Sequence, residues 1–463
     1  MSAAAVVLVA GSARGDSAPP PQPPASAADV ADAPRADEAR NQTRSDHSAA
    51  RALLWIPRAV LFPIKWGFWA TMAPVRGTMY AFDRYQVGMR IASLLTGDGP
   101  IALYPSAKAE SGFGITYGIG AGVSNLFDRG ERLRFQFLFG GEVRQIYGGK
   151  ATSGRLFGDV VSVDFEVQLQ QLNNSRFFGI GNLDLQDASL VGSGNDPTGV
   201  ATVARFDQDI LRGELGANLH VADGVTLRLS GALLERTFSG ATDEDAADIR
   251  DVYDEGRLVG FDRGTSTVYA EASAEYDMRD QPSRYLSAAA PSAGWQLSGF
   301  AGWTQGLDVD PSDYLRWGVD AQRYVDVFRG DRVLIVRGQV EAVTADLDGV
   351  AFTDLPALGG SRVLRGYDRG RFRDRWIGLG SVTYRFPINR VLAGFTWIDA
   401  GQAFRSVDAF DATELRFGYG GGLQLHTAEQ FLARLQVGGG DDGLVINLSF
   451  SPAVSIQRRT KRR

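Results

Sequence analysis

Val161-Ser162-Val163-Asp164-Phe165-Glu166-Val167-Gln168-Leu169 sets Val161, Val163, Phe165, Val167 and Leu169 on one side of an extended chain and Ser162, Asp164, Glu166 and Gln168 on the other. Successive side chains of a β-strand point to opposite faces, so strict alternation describes a strand with one apolar and one polar face. The pattern recurs from about residue 111 onward. Leu133, Phe135, Phe137 and Phe139 carry it, then Val225, Leu227 and Leu229, then Val268, Ala270, Ala272, Ala274 and Tyr276 opposite Glu271, Ser273, Glu275 and Asp277. Leu415, Phe417, Tyr419, Gly421, Leu423 and Leu425 follow, and Leu444, Ile446, Leu448 and Phe450 close the series. Turn signals at Asp223-Gly224, Gly330-Asp331 and Pro387-Ile388-Asn389 separate runs of about nine to eleven residues, the length of a tilted strand that crosses a bilayer.

A soluble β-sandwich alternates too. Here, however, the polar face is rich in carboxylates, glutamines and arginines across nearly every strand, and many strands carry an aromatic near one end: Tyr117, Tyr276, Trp295, Trp303, Tyr324, Trp376, Trp397 and Phe450. Aromatic girdles at the two membrane interfaces are a property of transmembrane barrels. The chain therefore reads as an all-β, transmembrane antiparallel β-barrel, apolar outside and polar within. It must be closed, because lipid supplies no partner for an open strand edge.

Composition narrows the function classes. The 463 residues include 56 glycines and no cysteine, 44% are hydrophobic, and the net charge is -6. The acidic balance argues against a nucleic-acid partner. No zinc or disulfide framework forms without cysteine, and no metal site or cofactor is read. With His47, His220 and His426 as the only histidines, one in a polar tether and two near turns, a barrel lipase finds no triad, and the chain reads as a non-enzyme. Gly118-Ile119-Gly120-Ala121-Gly122 lacks the spacing and following helix of a phosphate loop and reads as small residues in a strand. Pro57, Arg58, Pro63 and Lys65 interrupt the best candidate for a membrane helix.

The segment Leu358 to Asp374 holds five arginines among glycines, with strand patterns on either side. Guanidiniums this close repel one another unless carboxylates or water are near, and the glycines point to backbone folded into confined space. Long polar excursions, residues 181–206 and 237–264, alternate with short turns. The second holds the acidic run Asp243-Glu244-Asp245 with Asp248, Asp251, Asp254 and Glu255. Long loops of outer-membrane barrels face outward, which puts the arginine segment on the outer side.

These residues resemble the bacterial surface antigen branch of the outer-membrane insertase superfamily, which includes the BamA and TamA types and the two-partner secretion transporters. Leu364-Arg365-Gly366-Tyr367 matches the Val-Arg-Gly-Phe/Tyr signature, and Trp397-Ile398-Asp399-Ala400-Gly401 is similar to the Phe-x-Asp-x-Gly strand motif that follows it. Phe177-Phe178-Gly179-Ile180-Gly181-Asn182 and Glu275-Tyr276-Asp277-Met278-Arg279-Asp280 also look like family patterns. The resemblance spans about residues 101–450. It implies sixteen strands, a sixth outer loop whose signature tucks into the lumen, and a carboxylate, Asp399, that receives Arg365. Where assembly-type relatives carry a second glutamate, this chain has Thr383, so the anchor rests on Asp399 alone or on an acid not identified from sequence. The resemblance also implies a bacterial outer-membrane location.

Upstream the chain departs from those relatives, whose periplasmic POTRA domains find no room here. Residues 1–16 read as a signal-peptide remnant or a misplaced start, 17–50 as a disordered linker rich in Pro and Ala, and 51–100 as an amphipathic helical segment. In that segment Trp55, Trp66 and Trp69 alternate with cationic residues suited to a membrane surface. Residues 451–463 form a basic tail. The functional expectation is a POTRA-less barrel that takes part in outer-membrane protein insertion, translocation or envelope biogenesis. Its partners would be outer-membrane lipid or lipopolysaccharide and client outer-membrane proteins or another envelope protein. The gate would be a seam between a first strand carrying Gly118, Gly120 and Gly122 and a last strand carrying Leu444, Ile446, Leu448 and Phe450. The alternative is a passive pore or structural partner barrel.

Overall fold

Strand after strand obeys the alternation, with the polar side turned inward. In the computed structural model Asp164, Glu166 and Gln168 are buried while Phe165, Val167 and Leu169 stand exposed, the inverse of a soluble core. Residues 101–450 are described apart from 111–113, 126, 128–129, 142, 155, 159, 183–189, 191–202, 244–246, 280–289, 308–312, 329–331, 390–391 and 427–430. The expectations for 1–16, 17–50, 51–100 with Trp55, Trp66 and Trp69, and 451–463 lie outside these residues.

In chain order the strands are β1 (Ile101–Glu110), β2 (Gly114–Ser124), β3 (Arg132–Phe139), β4 (Arg144–Thr152), β5 (Val161–Phe177), β6 (Ala204–Ala222), β7 (Val225–Gly240), β8 (Thr265–Asp277), β9 (Gly294–Gly306), β10 (Tyr314–Phe328), β11 (Arg332–Val343), the short β12 (Ala357–Leu358) and β13 (Phe372–Arg373), β14 (Trp376–Pro387), β15 (Leu392–Phe404), β16 (Arg416–His426), β17 (Phe431–Gly440) and β18 (Gly443–Phe450). Among the described residues, sixteen of them close into an antiparallel barrel, and β12 pairs only with β13 inside the β11–β14 connection. β5, β6 and β7 run for 17, 19 and 16 residues, longer than a bilayer crossing requires, so their ends stand beyond the membrane and carry the outer loops.

Inside the barrel, buried carboxylates are tolerated because each meets a cation. Arg228 donates to Asp164 at 2.6 Å and to Glu214 at 3.0 Å, Arg212 reaches Glu214 at 2.7 Å, and Lys150 reaches Glu166 at 3.1 Å. Above them the outer connections share an apolar core. Phe352 contacts the rings of Phe177, Phe206, Phe238 and Phe261, and Ile249, Val252 and Tyr253 join from the β7–β8 connection. That connection also contains a one-turn helix, α1 (Ile249–Val252), capped by Asp248, whose carboxyl is held below its usual range chiefly by the hydrogen bond from Arg250. The stretch read from sequence as a long polar excursion with an acidic run thus carries packed structure.

Three expectations are corrected. The strand holding Gly118, Gly120 and Gly122 is β2, one strand from the seam. β1 precedes it and is the strand that meets β18, through Lys108↔Ser449 and Ala109↔Leu448. Pro105 within β1 masks its alternation, and a proline inside a strand is itself a mark of a sheet edge. Second, Tyr324 and Trp397 face the lumen and are buried, whereas Tyr117, Tyr276, Trp295 and Trp303 do face outward. Trp397 shares parity with Asp399, so the inward carboxylate brings the indole inward too. The side chain of Phe450 lies outside the described part. Third, the β8–β9 connection, at the end with short turns, is long. Its Ala290 packs against Ala393 and its Pro291 carbonyl accepts from Arg385.

Candidate functional site

The β11–β14 connection, residues 344–375, enters the lumen as a hairpin closed by β12 and β13. Its apolar side chains form a small core of their own, with Leu358, Val363, Leu364, Tyr367 and Phe372 against Ile377 and Leu379 of β14 and Ala403 of β15. Gly401 makes room for this layer, since a Cβ there would lie 3.1 Å from Leu358 Cδ1. Gly366 has φ +104°, a region L side chains rarely adopt, and a Cβ on it would collide with the Gly439 carbonyl. The loop can sit this close only because the facing positions of β16 and β17 are glycines.

Arg365 is the centre of the site. Its Nε and Nη2 donate to Asp399 Oδ2 and Oδ1 at 2.9 and 2.7 Å, and its own backbone N–H reaches Oδ2 at 2.8 Å. Nη2 also donates to Ser381 Oγ at 2.9 Å and Thr383 Oγ1 at 3.0 Å, and the Ser381 hydroxyl donates to Asp399 at 2.6 Å. The guanidinium stacks 4.8 Å from the Trp397 ring. Asp399 is 1% exposed and Arg365 8%. A bidentate pair at this depth, with hydroxyls filling the remaining sites, holds in the lumen because few donors or acceptors are left unpaired. Among the described residues no second carboxylate touches Arg365; two hydroxyls occupy that place. The anchor therefore does not rest on Asp399 alone, as the sequence reading had it, nor on a further acid: Thr383 and Ser381 share it, and Ser381 was missed. It lies two residues before Thr383, on the same parity, and directly opposite Asp399 in register.

Further ties spread from this centre. Arg337 of β11 donates to the Arg362 carbonyl at 2.8 Å, and Gln436 of β17 donates to the Ser361 carbonyl at 2.9 Å. The Tyr367 hydroxyl donates to the Phe417 carbonyl at 3.0 Å and accepts from the Asp441 N–H at 3.2 Å, and burial pushes its pKa up. Arg371 pairs with Asp442 in the β17–β18 turn, and Arg176 of β5 pairs with Asp368. Arg373 donates to the Phe352 and Gly370 carbonyls and lies over Phe177; burial brings its pKa down to about 10, so it stays charged at neutral pH. The Phe177–Asn182 motif runs beneath the loop, with the Gly181 N–H donating to the Arg373 carbonyl at 2.7 Å and Arg371 over Phe178. Of the Glu275–Asp280 motif, Asp277 holds Arg279, Glu275 accepts from Gln296, and Asp280 lies outside the described residues.

The other sequence-derived residues are placed elsewhere. Gly118, Gly120 and Gly122 lie on the lumen face of β2, and a Cβ at Gly118 would strike the Phe137 carbonyl of β3, so close approach of that strand explains this glycine. Leu444 and Ile446 face outward on β18, Leu448 is half-buried, and Phe450 pairs through its backbone with Ala433. Among the described residues no cluster of His, Asp or Glu could hold a metal ion.

The sequence profile of the Omp85 superfamily domain matches residues 125–440. The chain belongs to the Omp85 superfamily. Its fold is similar to that of BamA from Haemophilus ducreyi lacking POTRA domains 1–3, with a TM-score of 0.52 at 13% identity over 76% of this chain and 70% of that one. CdiB from Acinetobacter baumannii (TM-score 0.46, 12% identity, 76% of this chain and 59% of that one) and CdiB from Escherichia coli (0.48, 12%, 76% and 63%) are more distant likenesses. No curated protein sequence matches. As an Omp85 barrel the protein lies in the bacterial outer membrane, its long loops and lumenal hairpin at the outer end.

Proposed function

We propose that this Omp85 barrel inserts or translocates client outer-membrane chains, and that clients engage it at the β1–β18 seam. The observation that carries the reading is the unevenness of the ladder. Among the described residues two pairs join β1 to β18, whereas ten join β1 to β2 and eight join β17 to β18. Backbone N–H and C=O groups left unpaired at a seam are the template on which an extended segment adds as a strand. Resistance to wider opening comes from the hairpin in the lumen, which ties β11, β14, β15, β16 and the β17–β18 turn together and keeps the C-terminal wall intact while the seam works.

The chain has no cysteine, so a pair introduced by Lys108→Cys and Ser449→Cys can form only the intended disulfide, between residues already opposed in register. Cells depleted of the native protein should lose specific barrels from their outer membrane. The reduced double variant is expected to restore them and the oxidised one not to; restoration by the oxidised form removes the seam from the mechanism. Planar-bilayer conductance separates this reading from a passive pore. A lumen filled by the hairpin gives small, flickering currents that grow on Arg365→Ala, while large currents indifferent to that change indicate a pore.

A further inference from the structure

The lipid-facing side of β9, β10 and β11 is apolar around Arg323; the other outward cation of these strands, Arg332, stands at the start of β11 over the Phe328 ring. Val319 and Val325 share parity with Arg323 and are exposed at 53% and 39%, so Arg323 also points out of the barrel. It is opposed by Trp295 on β9 and Val336 on β11, and Leu297 stands beside them. Its guanidinium lies 5.0 Å from the centroid of the Trp295 ring. Among the described residues Arg323 has no hydrogen-bonding partner, so all five N–H donors remain available. A charge that merely escaped to water would extend past Val325 and Val327; this one rests on an indole instead.

Depth identifies the ligand. Trp303 and Trp295 face outward from β9 eight positions apart, about 26 Å along the strand. At a tilt of about 40° that is roughly 20 Å across the membrane, close to the height of a barrel's apolar band. The long loops lie at the Trp303 end, so Trp295 and Arg323 sit at the periplasmic interface, where headgroup phosphates lie. We infer that Arg323 and Trp295 form a binding site for a phospholipid of the periplasmic leaflet, the guanidinium receiving its phosphodiester and Leu297, Val325 and Val336 receiving its acyl chains. A planar fork offers two parallel N–H groups to phosphate oxygens, and the ring face holds the fork in plane. The site stands on the barrel's placement in the membrane and is independent of whether the seam opens.

The full-length protein, purified in detergent and titrated with phosphatidylglycerol, can be followed by native mass spectrometry. Wild type is expected to retain lipid, Arg323→Gln to weaken retention about tenfold, Trp295→Leu to weaken it severalfold, and Arg323→Lys to keep most of it. Inorganic phosphate at equal concentration should not displace the lipid. Equal retention by wild type and Arg323→Gln overturns the assignment, and so does full displacement by inorganic phosphate, which marks a bare anion site. If Arg323→Gln does not fold, as judged by heat-modifiable mobility, Trp295→Leu decides: undiminished retention refutes the site.

Discussion

Replacing Arg365 or Asp399 by alanine tests the lumenal staple. Arg365→Ala leaves Asp399, 1% exposed, with two donors: the Ser381 hydroxyl at 2.6 Å and the backbone N–H of residue 365 at 2.8 Å. Stranding a buried charge costs about 3–5 kcal/mol, and two surviving donors hold this variant near about 3. Asp399→Ala is worse. It strands the guanidinium and also orphans the loop amide, which adds about 1–3 kcal/mol and places the total near or above the upper end. The double variant removes both charges and keeps only the orphaned amide, so it should cost no more than Asp399→Ala alone, a coupling of at least about 3 kcal/mol, the whole cost of Arg365→Ala. Urea unfolding in lipid vesicles measures all three, and Trp397, 4.8 Å from the guanidinium, reports locally by fluorescence. Single effects under about 1 kcal/mol, or singles that simply add in the double, would falsify the claim that these two residues act as one buried unit.

Gly366→Ala forces a side chain into positive φ and against the Gly439 carbonyl; a loss of about 1–3 kcal/mol is expected, with new protease cleavage within 359–371 on intact cells. Asp442→Asn weakens the tie to Arg371, but Asp442 is about a third exposed, so the cost should stay within about 1 kcal/mol in the same unfolding assay, well below that of Asp399. Leu233→Arg places a cation on the lipid face of β7 and should cost about 2–4 kcal/mol. Ser230→Arg on the same strand faces the lumen opposite Glu271 and should be nearly neutral, and reversal of that order would mean the faces have been assigned the wrong way round.

Much of the barrel is legible one residue at a time. In β5 the two-residue period alone separates Asp164 and Glu166 from Phe165 and Val167, and a polar set this rich in charge can only face water or cations. The same period in β15 turns Asp399 inward and should have turned Trp397 with it; reading the indole as a girdle residue weighed its type above its parity. β1 escaped because Pro105 breaks the pattern, and the glycines of β2 then stood in for a seam strand. Thr383 was identified by position, yet Ser381, which both donates to Asp399 and accepts from Arg365, carries no distinguishing mark in the chain.

What the chain by itself determined was the set of faces, apolar out and polar in, because side-chain direction along a strand is a local property; the Arg365 and Asp399 pair came only as what the family resemblance implied. Only the tertiary structure decided which strands meet at the seam, that Asp441 and Asp442 tie the hairpin to the last turn, and that Arg323 lies on Trp295. Those relations depend on register and closure, which join residues far apart in sequence, and no period within one strand encodes them.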